Sequence, residues 1–116
     1  MKIAFASEDN LGLDGKLAYH FGRCPYYVFV DVENKEVLSV QTKRNPFFNQ
    51  HAPGVVPQFI AEEGADIMIA GGMGSAAIDW FRKLGVTAIT TEPRKIGDIL
   101  QDYLNGEISG VEACSS

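Results

Sequence analysis

Ala65–Gly74, ADIMIAGGMG, reads as a short buried strand, Asp66–Ala70, running into a glycine turn, Gly71–Gly74. Ile67, Met68, Ile69 and Ala70 form an unbroken apolar run, as a strand covered on both faces requires. Periodicity alone also permits a helix. The run is short, is closed by glycines and is flanked by helical patterns, which selects a central strand. Gly71, Gly72 and Gly74 are expected either to take positive φ or to admit a ligand against bare backbone. Ser75 is placed to cap the helix that follows, turning its N-terminal N–H groups toward the same spot.

On the C-terminal side, Ser75–Leu84 is predicted as a helix with Ala76, Ala77, Trp80, Phe81 and Leu84 inward, ended by Gly85. Arg82 and Lys83 suit the dipole of its last turn. Val86–Thr90 is a short strand. A third helix begins at Pro93 or Arg94, carries Ile96, Ile99, Leu100, Tyr103 and Leu104, and stops at Asn105-Gly106. On the N-terminal side, Gly54–Glu63 is a helix striped by Val55, Val56, Phe59 and Ile60.

Further upstream, Lys2–Ser7 alternates Ile3 and Phe5 against Ala4 and Ala6, which marks a strand. Tyr26–Val32 and Val37–Thr42 form a hairpin about a turn at Glu33–Glu36. Glu8–Lys16 and Lys43–Pro53 are loops, the second with an exposed Phe47-Phe48 pair. Leu17–Pro25, LAYHFGRCP, holds His20, Arg23 and Cys24 among aromatics, and Gly22 and Pro25 deny it a regular helix. The element order βββαβαβα implies an α/β domain with a mixed five-stranded sheet, its helix-linked strands parallel.

The 116 residues suffice for one domain with a substantial core. A net charge of −5 argues against nucleic acid as the main partner, because phosphate binding needs a basic face. Cys24 and Cys114 do not make a disulfide framework. Met1-Lys2 leads straight into a strand instead of a signal-peptide core, and no apolar run approaches membrane-span length. A cytoplasmic protein with free thiols and no membrane partner is expected. Residues from about 110 onward read as a loose tail.

Imidazole and thiolate are common ligands of zinc, copper and iron–sulfur centres, which singles out His20 and Cys24, four residues apart. Arg23 would lower the thiol pKa or pair with an anion. Equally, His20 could satisfy its own loop and Cys24 pack as a small hydrophobe. His51 is a second candidate, and Met73 is either a soft neighbour or a packing residue. Cys114 reads as a spectator thiol, and Glu8, Asp9 and Asp14 as a solvated acidic loop. The turn before Ser75 is neither GxGxxG nor a P-loop. There is no nucleophile elbow, so a nucleophilic enzyme is poorly supported.

The order KIAFAS, HFGRCPYYVFVDV, His51–Gly54, GADIMIAGGMGSAA, LGVTAI and YLNGEI resembles the dinitrogenase iron–molybdenum cofactor biosynthesis family over Lys2 to about Gly110. The resemblance implies a ribonuclease H-like fold without nuclease or other enzymatic activity. It also implies binding of an iron–molybdenum cofactor, its precursor or a related iron–sulfur cluster, passed between metallocluster donor and acceptor proteins. Of the candidate cofactor contacts His20, Arg23, Cys24, His51, Gly72, Met73, Gly74 and Ser75, the resemblance implies His20 as the leading one, His51 and the glycine turn; the others rest on residue chemistry, with His20 and Cys24 as the candidate metal ligands. Cys24 stands where many relatives have a small residue such as alanine. A monomer is the expected state. The competing reading is a metal-free interaction or regulatory module that binds through Phe47, Phe48 and Leu17–Pro25.

Overall fold

A computed structural model of the chain describes residues 1–49 and 54–107. Among these residues five strands make one mixed sheet in the order β3-β2-β1-β4-β5. They are β1 (Lys2–Ser7), β2 (Tyr26–Glu33), β3 (Glu36–Arg44), β4 (Ile67–Ala70) and β5 (Thr87–Thr90). Three helices, α1 (Val55–Glu62), α2 (Ser75–Leu84) and α3 (Ile96–Leu104), complete the predicted order. β1 pairs antiparallel with β2 and parallel with β4, and β4 pairs parallel with β5.

The alternation in β1 divides the core. Ala4 and Ala6 lie under α1 and α2 with Tyr27, Phe29, Met68, Ile60 and Phe81, while Ile3 and Phe5 face α3 with Val28, Ile69, Ile96 and Ile99. All four residues of β4 are buried, as a strand covered on both faces must be. Small side chains on β1 leave room for two helices on one face, and larger ones fill the space beneath the single helix on the other.

Several boundaries differ from expectation for identifiable reasons. The hairpin turn is Asn34-Lys35, both at positive φ (52° and 66°), a two-residue turn whose twist matches the strands. β3 therefore runs from Glu36 to Arg44, beyond both predicted ends. α3 starts at Ile96, not at Pro93 or Arg94. Arg94 accepts a hydrogen bond from the Leu17 N–H (3.0 Å) and Lys95 bridges to Lys16, so that backbone is committed to another segment.

In α2 the buried side chains are Ile78 and Phe81, while Ala76 is exposed and Trp80 half-buried. The inward stripe is thus phased differently from the expected one. Trp80 lies over Gly54, whose φ of +81° suits glycine and where an added Cβ would come within 2.7 Å of the indole. Ser75 does not cap α2. Gly74 is the N-cap, and no described side chain bonds to that end. Met73 and Ile78, at the two positions that flank the cap in a hydrophobic staple, are both buried in the same cluster.

Candidate functional site

β1 and β4 pair only over Ile3–Phe5 and Ile67–Ile69. Past that point they part, and residues 17–21 enter between their C-terminal ends. Ala18 N–H donates to the Ala6 carbonyl (2.8 Å), Gly71 N–H to Ala18 (2.9 Å) and Phe21 N–H to Gly72 (3.1 Å). Leu17 bridges antiparallel to Ser7, and His20 bridges parallel to Gly72. The HFG segment and the glycine turn, about fifty residues apart in sequence, thus become neighbours at the carboxyl end of the parallel strands. Open α/β sheets characteristically bind ligands there.

Glycines 71, 72 and 74 all avoid positive φ. Gly71 serves close approach instead. A Cβ on Gly71 would stand 2.6 Å from the Tyr19 Cα and 3.0 Å from its carbonyl oxygen. Gly74 has open space around it at φ −69°. Gly74, Ser75 and Ala76 are exposed, so the first turn of α2 presents its free N–H groups to solvent beside the His20 segment.

His20 and Arg23 are exposed, and both line a cavity of about 340 Å³ with Glu8, Tyr19 and Cys24. The His20 ring lies edge-on to Tyr19, with centroids 4.8 Å apart at 81°. Cys24 is at the floor, only 3% exposed. Burial pushes its thiol pKa up, against a smaller opposing contribution from the Tyr27 hydroxyl. The expected lowering by Arg23 does not occur. Tyr27 is fully buried, its pKa also raised by burial and by Cys24; its hydroxyl lies near the Cys24 thiol but meets full hydrogen-bond geometry with no described residue.

Asn45 holds this floor from the side and was not singled out by sequence. It is buried, donates to the Cys24 carbonyl (2.9 Å) and accepts from the Phe47 N–H (2.9 Å). An asparagine one residue before proline signals a turn, but nothing local reveals its partner twenty-one residues upstream.

Residues 1–106 match the family model described as dinitrogenase iron-molybdenum cofactor. The chain belongs to that family. An uncharacterised protein of Methanocaldococcus jannaschii is 28% identical over 114 residues, covering 97% of this chain and 92% of that protein. The crystal structure of PH0822 is 34% identical, with a TM-score of 0.85 over 94% of each chain. The apo form of the orange protein from Desulfovibrio gigas has the same fold, with a TM-score of 0.85 at 23% identity over 97% of this chain and 93% of that one.

Of the candidate contacts named from sequence, His20, Arg23, Cys24, Gly72, Gly74 and Ser75 all lie around one end of the sheet. Met73 is 2% exposed and packs in the core. His51 and Cys114 lie outside the described residues. Phe47 is half-buried and packs on Phe59, with ring centroids 6.3 Å apart, so of the expected aromatic pair Phe48 is the exposed member. Among the described residues no three of His, Cys, Asp and Glu are grouped to hold a metal ion. No helix there is long and apolar enough to cross a membrane.

Proposed function

We propose that this protein binds a preformed, anionic metallocluster of the iron–sulfur or iron–molybdenum type and carries it between a donor and an acceptor protein. The observation that carries this reading is the pairing of the His20 segment with the glycine turn. It brings the segment that bears the exposed His20 and Arg23 next to the turn that leads into the uncapped α2. His20 is the iron ligand in this reading, Arg23 offsets cluster charge, and the N–H groups of Gly74–Ala76 donate to its sulfur or oxygen atoms. Gly74 leaves the approach to that helix end open.

The donor set fits a cargo better than a resident metal. A permanent site closes its coordination sphere with three or four protein ligands, whereas a carrier must release what it holds. The family description, which names the iron–molybdenum cofactor, supports the choice of cargo class.

The test is anaerobic titration of the protein with a preformed iron–sulfur cluster, followed by visible absorbance and EPR. Saturation near one cluster per chain, abolished in His20→Ala, is expected. Absence of saturable binding in the natural chain rejects the proposal in favour of a metal-free interaction module.

A further inference from the structure

β3 closes the sheet on one side, and no described strand lies beyond it. At nine residues it is the longest strand, and Glu36–Gln41 are exposed throughout. Val37 and Val40 are each 42% exposed and Leu38 62%. A long edge bearing aliphatic side chains and unpaired backbone groups is a template for another strand.

We infer that β3 pairs antiparallel with β3 of a second copy, about a two-fold axis at Val40. The charge pattern of the strand selects this occupant. EVLSVQTKR has an acid at its start, Glu36, two bases at its end, Lys43 and Arg44, and aliphatic residues between. Turned on itself about Val40, the strand sets Val40 opposite Val40, Ser39 opposite Gln41, and Glu36 opposite the basic end. β3 carries one extra residue at Leu38, since Asp31 pairs with Ser39 and Val32 with Val37. Glu36 meets Arg44 of the other copy if this bulge straightens; if it persists, Glu36 faces Lys43, which is ion-paired with Glu63 in its own chain, with Arg44 as the next residue. A parallel arrangement would set acid on acid and base on base, which costs free energy.

Glu36 and Arg44 make no ion pair among the described residues, so both are available. A two-fold contact closes on itself and stops at a dimer. Arg44 pairs with Tyr26, near the cavity end of β2, so the two cavities fall at opposite ends of the joined sheet and neither is covered. This arrangement departs from the monomer expected from sequence.

Sedimentation velocity of the full chain from about 1 µM to about 1 mM tests the pairing. A dimer that dissociates on dilution is expected. Val40→Lys, which sets two like charges on the axis, should remain monomeric at concentrations where the natural chain is dimeric, with unchanged circular dichroism. Glu36→Lys should weaken association by about tenfold, because two equivalent pairs reverse sign. A monomer at every concentration overturns the inference and leaves the edge to a strand of different origin. A dimer indifferent to both substitutions overturns it as well.

Discussion

His20 and Gly72 are parallel β-bridge partners, joined by the Phe21 N–H donating to the Gly72 carbonyl at 3.1 Å. The histidine is therefore placed by main-chain pairing, its ring meeting only the edge-on Tyr19 among aromatic neighbours. Its side chain is exposed, so His20→Ala should leave stability within about 0.5 kcal/mol of the natural chain. Cluster binding should be lost in the same variant. Urea unfolding beside the anaerobic titration separates the two effects, and a large fall in stability would refute this account of how His20 is held.

The two glycines bracketing the turn should behave differently. Gly71→Val drives a side chain into the Tyr19 backbone and should cost roughly 1–3 kcal/mol, since backbone cannot step aside as a flexible side chain can. Gly74→Ala meets nothing within 4 Å and should cost less, about 0.5 kcal/mol, through the poorer N-cap residue alone. Equal effects in a denaturation series would contradict the close-approach role assigned to Gly71.

Asn45 predicts a purely structural link to the site. Asn45→Ala removes the donor to the Cys24 carbonyl and leaves buried polar groups unpaired, at a cost of roughly 1–3 kcal/mol. The backbone amides of residues 22–24 should shift in NMR spectra while those of α3 stay in place.

The buried thiol gives a pH dependence with a definite sign. Burial raises the Cys24 pKa, so the folded state keeps a proton that the unfolded chain loses above about pH 9. Its contribution to stability is complete below that pH and falls as pH rises further. The urea midpoint should decline across the alkaline range, and less so in Cys24→Ala. Tyr27, shifted in the same direction, contributes at still higher pH. At neutral pH Cys24 in the folded protein should react slowly with thiol reagents, because its thiol is protonated and covered.

Glu8 and Arg23 line the same cavity with opposite charges. For an anionic cargo, Glu8→Gln should tighten binding by about threefold and Arg23→Ala should weaken it by a similar factor. Both effects should shrink as salt is added. A cargo that ignores both substitutions at low salt would be neutral.

The strands were readable where side chains alternate or run apolar without interruption. KIAFAS shows its two faces directly, and IMIA announces burial on both. The hairpin was equally plain, although the left-handed pair Asn34-Lys35 was not, lacking the glycine that usually marks such a turn. The glycine turn illustrates a different limit. Gly71 reads alike whether it serves positive φ or contact with a distant backbone, and only the fold brings Tyr19 against it. Residues 17–21 carry no strand periodicity because their hydrogen-bond partners are split among the diverging end of β1, the turn after β4 and the segment before α3. Trp80 drew the predicted stripe of α2 out of phase, since an indole half-covering Gly54 resembles a core residue by composition.

The wedge of residues 17–21 also sets the dynamics of the site. Its amides at Ala18 and Phe21, with that of Gly71, close hydrogen bonds that tie the wedge to β1 on one side and to the turn after β4 on the other, so opening them means detaching it from both. Those protons should exchange with solvent on the timescale of global unfolding and not on that of a surface loop. The most chemically unusual stretch of the chain would then be among the last to come apart.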